Sequence, residues 1–503
     1  MIHVGRMLSE GARLHPERPA LVDGLTGEVT AYGALDARAA AYGTALALTP
    51  GDRVVLCAES SVAAVAAFFG IVHAGGVVVP VPTAASAREL AFRAEHAGAV
   101  RVLVDEHTAP LAARTSVPVT DLADLDPAAT PLRLVAEPQG RAMILYTSGT
   151  TGSSKGAVIR HDSLVAHTSA LVHHTLDLHA DDVVLGVLPL AHSYGIRMAV
   201  LVPFFAGART VVVARAGLGG RFDAERTLAI AADHGVTWLP GVPTMFSAWG
   251  RAAGEPWPAL RWALSAGAPL APAIRERAEA RLGAPVREGY GLTEATFTAI
   301  DAPTRDASVP GTVGRPVWGV EVRVVDPSGA ALPAGAEGEV EVRGQNVMAG
   351  YLDDPEATAA ATHAGWLRTG DLGVLDDTGR LFIVDRLKDL VLRGGVNVVP
   401  AEVEAILARA PGVLAVAAVG RPDPHLGEEL VAVVVASDGF DPAALHRFAR
   451  EELGAAKAPR ELVVVPELPV GASGKVLRRA LRDAIAAGEL RPVPLKSAGL
   501  AAD

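Results

Sequence analysis

The run Tyr146-Thr-Ser-Gly-Thr-Thr-Gly-Ser-Ser-Lys-Gly156 is the densest phosphate-binding chemistry in this sequence. Its glycines let backbone N–H groups close around oxygens, its hydroxyls add donors, and Lys155 supplies a mobile positive charge. The spacing is not that of the Gly-x4-Gly-Lys-Ser/Thr loop, so the run is a different phosphate cradle. A second Gly/Ser loop, Gly471-Ala-Ser-Gly-Lys475, can bring another lysine close to a ligand. Taken alone, Asp371 after Gly370 reads as a turn residue and Glu294 as a carboxylate at a helix start. His173 and His174, with the scattered His161, His167 and His179, lack metal-ligand spacing and read as surface residues. Cys57 is the single cysteine. It excludes an intramolecular disulfide and, in the apolar run Arg53–Cys57, reads as a buried, inert thiol.

These groups need a scaffold, and the hydropathy pattern supplies one. Short Val-rich runs at 53–56, 76–81, 100–104, 183–188 and 210–213 are bounded by Gly, Pro or Asp. Between them lie stretches with helical spacing at 86–96, 224–234 and 273–282. Strands alternating with amphipathic helices predict an α/β fold with mainly parallel sheets. Alternation over 319–325 and 338–343 predicts half-exposed antiparallel strands. After Asp385 the texture changes. Helix 400–409, strands 413–419 and 430–436, helix 441–453, a strand at 461–465 and a basic helix at 476–486 predict a small α+β domain. The expected division is 1–385 and 386–503, with a loose tail after about residue 490.

The formal charge, 45 − 56 = −11, is spread along the chain without a basic patch, which argues against a nucleic-acid partner. The longest apolar stretch, 198–213, is broken by Pro203, Gly207 and Arg209 and is too short to span a bilayer. With no signal-peptide pattern over residues 1–17, the expectation is a soluble, cytoplasmic protein.

The phosphate loop is followed, in order, by Leu188-Pro-Leu-Ala-His-Ser-Tyr-Gly195, Ser265-Ala-Gly-Ala-Pro-Leu270 and Glu288-Gly-Tyr-Gly-Leu-Thr-Glu294. Arg368-Thr-Gly-Asp-Leu372, Val384-Asp-Arg-Leu-Lys-Asp389 and Gly471–Lys475 complete the series. This set resembles the adenylate-forming superfamily of acyl-CoA synthetases, peptide-synthetase adenylation domains and beetle luciferases. The resemblance covers nearly the whole chain. It implies a large N-terminal domain of two α/β subdomains and a β-barrel-like one, with a small mobile C-terminal domain. It also implies that ATP and Mg2+ activate a carboxylic acid as acyl-AMP, and that coenzyme A accepts the acyl group.

By that resemblance Thr147, Ser148, Gly149, Thr150, Thr151, Gly152 and Lys155 embrace the ATP phosphates. Gly267, Ala268, Glu288, Gly289, Tyr290, Gly291 and Thr293 bind the nucleotide, with Tyr290 stacked on the adenine and Gly267 passing close beside it. Asp371 accepts from the ribose hydroxyls, supported by Arg386. Glu294 and Thr147 form the Mg2+ site, where hard oxygen ligands suit the ion. Lys475 is the catalytic cation and His192 lies between the acid pocket and the thiol tunnel. Lys388 is the hinge, and Gly394, Gly395 and Val396 line the thiol channel. Tyr194, Trp238, Pro240, Gly241, Ala266, Gly291 and Phe297 surround the acyl group. That pocket is apolar, with no carboxylate and no evident arginine, so the expected acid is monoanionic and largely apolar, aliphatic or aromatic. The Tyr194 hydroxyl could read a ring substituent or simply pack as wall.

Three positions depart from the family pattern. Ser153-Ser154 replaces the usual residue–Pro pair before Lys155, Val470-Gly471 stands where Arg and a hydroxyl residue are common, and Val396 replaces a polar or aromatic residue. The last two leave the acceptor open between CoA, an acyl-carrier-protein thiol and a non-thiol nucleophile. No Asp or Glu lies between Asp182 and Arg215 to hold a substrate ammonium, which favours a simple acid over an amino acid. A nucleotide-binding regulator with dead chemistry is the reading from another class, and intact Lys475, Glu294 and Asp371 oppose it.

When a carboxylate attacks the α-phosphate, two anions meet, and a cation over the bridging oxygens lowers that barrier. Lys475→Ala should therefore slow acyl-AMP formation by on the order of a hundredfold or more. Thioester formation from pre-made acyl-AMP should be spared, and single-turnover assays of each half-reaction check this.

Overall fold

The structure is a computed structural model. It describes all residues except 1, 126–133, 136, 138, 148–153, 215, 219–221, 303–306, 388, 395, 472–475 and 496–503.

Two α/β sheets carry the first half of the chain. The nine-stranded sheet runs, edge to edge, through Arg315–Pro316, Thr296–Ile300, Val286–Leu292, Trp262–Ala266, Trp238–Gly241, Val183–Gly186, Arg209–Val212, Pro19–Asp23 and Val29–Ala31. The neighbours from Val286–Leu292 to Pro19–Asp23 are parallel, and the outer pairs are antiparallel. The seven-stranded sheet is centred on Arg53–Cys57, Val77–Pro80 and Arg101–Val104, with the hairpin Arg141–Tyr146 and Gly156–Arg160 towards one edge. Its inner strands are continuous apolar runs because both faces are covered.

One core joins these sheets. The helix Val62–His73, apolar on all sides, is capped by the Ser61 hydroxyl, which accepts from Ala64 N at 3.1 Å. Phe68 and Phe69 from that helix share a buried cluster with Val54 and Leu145 of one sheet, and with Trp238 and Leu264 of the other.

A five-stranded antiparallel sheet follows, with Glu337–Gly344 and Trp366–Leu375 at its middle and Leu381–Arg386 paired to the latter. The predicted alternation at 319–325 and 338–343 appears here as a paired register, Val320↔Gly344 to Val325↔Glu339. The remaining sheet is built on Val413–Asp423 and Gly427–Ala436. Helices Pro400–Leu407 and Pro442–Lys457 cover one face, and Arg478–Ala486 covers the other.

Two features differ from the sequence expectation. Val391–Arg393 and Val396–Val398 form a hairpin too short to show a periodicity. The expected tail is partly docked: Val493–Pro494 pairs with Glu461–Leu462, and Leu495 is fully buried because it plugs the core under the helix Pro442–Lys457. The apolar stretch at 198–213 becomes parts of two helical turns and the strand Arg209–Val212. No helix among the described residues is long and apolar enough to cross a membrane.

Candidate active site

Three parallel strands deliver the motif residues to one edge. Their register sets Gly241 beside Ser265, Ser265 beside Glu288, and Ala266 beside Gly289 at the carboxyl ends, where open α/β sheets bind ligands. The chain leaves Ala266 through Gly267, whose φ of +96° excludes an ordinary side chain, while Ala268 stays exposed. The following loop is pinned: Leu270 N donates to Glu288 Oε2 at 3.1 Å. Burial lifts the Glu288 carboxyl to about 7, against the Leu270 N–H and Arg275, with Asp301 adding to the rise. Glu288 is thus turned to the loop backbone. After Tyr290 the register slips against the strand Thr296–Ile300, and a Cβ on Gly291 would overlap the Thr296 carbonyl. Only glycine allows that approach, and Thr293 lies in the turn joining these two strands.

Asp371 is the centre of the second group. Its carboxylate accepts from Tyr290 Oη at 2.5 Å on one oxygen and from Arg386 Nε at 2.9 Å on the other. Arg386 is its cross-strand partner, and Asp371 itself is 2% exposed. Burial and then the Asp371 charge hold Tyr290 well above the ordinary phenol range, so it remains a donor. The Tyr290 ring is half-exposed while its hydroxyl is tied down, an arrangement suited to stacking a planar base.

A third group leads to the phosphate loop. Tyr146 pairs with Gly156 across the hairpin, Thr147 N donates to Lys155 O at 2.9 Å, and Ser154 Oγ donates to Thr147 O at 2.5 Å, so the loop mouth is closed. Residues 148–152 lie outside the described residues. Lys155 Nζ stands 5.0 Å over the Tyr351 ring, and Tyr351 Oη donates to Glu294 Oε1 at 2.8 Å. Tyr351 therefore links the loop lysine to Glu294. Sequence reading missed it, because 57 residues separate it from Glu294. Half-exposed Glu294 and Thr147 offer hard oxygens of the kind a divalent cation takes.

The acyl residues form a wall. Tyr194 Oη donates to Leu264 O at 2.7 Å and accepts from Gly241 N at 3.2 Å. Its ring meets Phe297 edge to face at 5.3 Å. With its hydroxyl engaged by backbone, Tyr194 packs as wall. Trp238, 1% exposed, lies edge to face with Trp262, and Pro240, Gly241, Ala266 and Phe297 are buried. Gly241 lacks room for a side chain against the rings of Trp249 and Phe246. Half-buried His192 precedes the helix Ser193–Ile196.

One expectation fails. His161 and His167 are buried, 3% and 0% exposed, because the helix His161–Leu171 is sandwiched in the shared core; His173, His174 and His179 are exposed as expected. A buried arginine, Arg197, 1% exposed, sits three positions beyond Tyr194 and was not singled out from the sequence. Its place inside an apolar stretch disguised it. An open depression of about 580 Å³ around His173, His174 and Phe205 shares no residue with the Asp371 group. No cluster of three or more metal-ligating side chains occurs among the described residues.

The junction is cross-tied. Leu387 N donates to Gly370 O at 3.0 Å, while Asp385 accepts from Ala401 N at 3.0 Å. Asp389 pairs with Arg482 at 3.1 Å, and Arg478 with Glu404 at 2.6 Å. Lys388, Gly395 and Lys475 lie outside the described residues. Gly394, at φ +57°, and the exposed Val396 flank the turn of the hairpin at 391–398.

Comparison with known proteins agrees with this assembly. A profile described as AMP-binding enzyme matches residues 8–352, and one described as AMP-binding enzyme C-terminal domain matches residues 402–475. The chain is 34% identical to a sulfoacetate–CoA ligase of Cupriavidus necator, over 93% of this chain and 94% of that one. It is 35% identical to a feruloyl-CoA synthase of an Amycolatopsis species, covering 94% and 96%. The crystal structure of ATP-bound MatB from Rhodopseudomonas palustris superposes with a TM-score of 0.86 at 32% identity, covering 95% and 99%.

The Glu288 carboxyl supplies a stability test. Its folded pKa of about 7 lies above the ordinary carboxyl value, so its contribution is complete in acid and is lost as pH rises through about 7. Glu288→Gln keeps an acceptor for Leu270 N without the buried charge. Its melting temperature should gain on the wild type between pH 5 and pH 8; a constant difference would place Glu288 in the ordinary range.

Proposed function

Because this chain belongs to the AMP-binding, adenylate-forming enzymes and is an AMP-forming acid–thiol (CoA) ligase, we propose a division of labour among its residues. The buried Asp371 carboxylate, held between Tyr290 and Arg386, is the observation that carries this reading. It is anchored strongly enough to accept from ribose hydroxyls without moving, while the half-exposed Tyr290 ring takes the adenine face. Gly267 and Gly291 allow the nucleotide to lie against backbone. Lys155 and the loop before it hold the phosphates. Glu294 and Thr147 would hold Mg2+, which neutralises phosphate charge when bound.

In the first half-reaction a carboxylate oxygen of the acid attacks the α-phosphorus. A new P–O bond forms, the bond to the bridging oxygen breaks, and pyrophosphate leaves with the electron pair. Lys475 stabilises the charge that develops there. In the second, the CoA sulfur, having lost its proton, attacks the acyl carbonyl and AMP departs. His192 stands between acid and thiol. Residues 386–503 turn about Lys388 between the two steps, and the ion pairs from Asp389 to Arg482 and from Arg478 to Glu404 keep the C-terminal segment stiff as it moves. Gly394, Gly395 and Val396 line the thiol's path. The acid has a carboxylate end at His192 and a largely apolar body along Tyr194, Ala266 and Phe297, where burial contributes about 25 cal/mol per Å².

Acid-dependent exchange of pyrophosphate into ATP, without CoA, tests the first step, and CoA thiol loss tests the second. Both should require the same acids. Nucleotide binding with no exchange across aliphatic and aromatic acids would favour a regulator instead. Exchange followed by transfer only to a carrier protein would replace CoA as acceptor.

A further inference from the structure

Arg197 is a buried cation without a counter-ion among the described residues. Its Nη1 donates to Thr168 Oγ1 at 3.3 Å, while its Nε and Nη2 groups, wholly buried, have no partner among the described residues. Burial alone pulls its pKa down to about 9, so the group is still charged at neutral pH. A buried charge with unmet donors is among the costlier features a fold can carry, and it is expected where an opposite charge arrives.

Its position says from where. Arg197 opens a π-helical stretch, Arg197–Leu201, that continues the helix Ser193–Ile196, and such stretches concentrate at functional sites. It follows Tyr194 by three positions, so the two project to neighbouring positions of one helical face. The short helix packs on the strand Thr296–Ile300, whose Phe297 meets the Tyr194 ring. Behind that pair, His167 Nδ1 lies 3.3 Å from Thr296 Oγ1. Burial and then the Arg197 charge keep His167 well below its ordinary pKa, and its Nε2 has no partner among the described residues. The Trp238 indole N–H, in the same core cluster as Phe297, also lacks an acceptor among them. The carboxylates in neighbouring motifs are engaged elsewhere: Glu288 with Leu270 N, Glu294 with Tyr351, and Asp162 with Arg160.

Resting on the reading that a carboxylic acid is adenylated beside His192 and Tyr194, we propose that Arg197 docks a second acidic group of the substrate. The substrate class is an acid with a carboxylate at one end, an apolar middle, and a carboxylate or sulfonate at the other. Arg197 follows the helix Ser193–Ile196, at whose start His192 stands, so we assign it the end of the substrate remote from the carboxylate being activated. The family of apolar monoacids is then the poorer fit, since it leaves the guanidinium buried and unpaired.

The test compares straight-chain diacids from succinate to pimelate, terephthalate and ω-sulfo acids with monoacids and half-esters of matched length. In pyrophosphate exchange, the best diacid or sulfo acid should exceed its neutral-ended counterpart in kcat/KM by at least about tenfold, a step of 1.4 kcal/mol. Arg197→Met should erase or invert that ratio, and Arg197→Lys should keep part of it. If Arg197→Met does not fold, the wild-type ratio of diacid to half-ester decides alone. A second readout needs no turnover: the preferred diacid should raise the wild-type melting temperature, and the matched monoacid should not. Wild-type preference for monoacids or half-esters, or a ratio unchanged in Arg197→Met, overturns the docking role and leaves adenylation standing. Stabilisation by a diacid without pyrophosphate exchange overturns adenylation and leaves the docking role standing. Success with carboxylate or sulfonate alone assigns the group.

Discussion

One buried carboxylate joins the parts of this molecule that must meet. Asp371 is on the middle strand of the antiparallel sheet, Tyr290 at the end of a parallel strand, and Arg386 on the strand that leads out towards residues 391–398. A carboxylate this buried is tolerable only when its charge is met, and here one cation and one phenol meet it. Removing either partner would therefore loosen more than a hydrogen bond. The edge of the nine-stranded sheet, the antiparallel sheet and the start of the C-terminal segment are registered through this one group. Leu387, next to Arg386, donates to Gly370, next to Asp371, so the chain turns away under a second tie.

The rest of the site follows the same economy of charge. The acidic groups near the nucleotide positions are each committed to fixed partners. Asp371 binds Tyr290 and Arg386, Glu294 binds Tyr351, and Glu288 holds Leu270 N. Two of the cations, unlike Arg386, are treated differently. Lys155 rests over a ring face, and Arg197 keeps two donors unmet among the described residues. Cations that meet no carboxylate among the described residues suit the proposed handling of triphosphate and carboxylic acids, because those ligands would complete them.

Much of this was legible in the sequence for a physical reason. Phosphate contact uses backbone N–H groups, so contiguous Gly and hydroxyl residues make 146–156 the candidate loop, of which the described residues show the closed mouth at Thr147, Ser154 and Lys155. The parallel strands announced themselves as unbroken Val-rich runs, and the C-terminal helices and strands by their periods. What stayed hidden depends on distant contacts. Tyr351 acquires meaning only when Gly350–Tyr351 pairs with Ala157–Val158 and reaches Glu294. Arg197 sits in an apolar run that gives no sign of a polar interior. His161 and His167 looked superficial because a single histidine carries no periodic signal; the packing of their helix buried them. Strands of three residues, such as Val391–Arg393, are below the length at which alternation can be seen.

The central claim is that Asp371, fixed by Tyr290 and Arg386, recognises the ribose of ATP. It is tested most directly by comparing ATP with 2′-deoxy- and 3′-deoxy-ATP in pyrophosphate exchange, for the wild type and Asp371→Asn, with melting temperatures confirming that both are folded. A hydrogen bond to a charged group contributes about 1.5–3 kcal/mol, so the wild type should disfavour at least one deoxynucleotide by about tenfold or more. The account predicts that Asp371→Asn raises the KM for ATP and largely loses that discrimination. A folded variant that keeps both the wild-type KM and the full preference for ribose would contradict it.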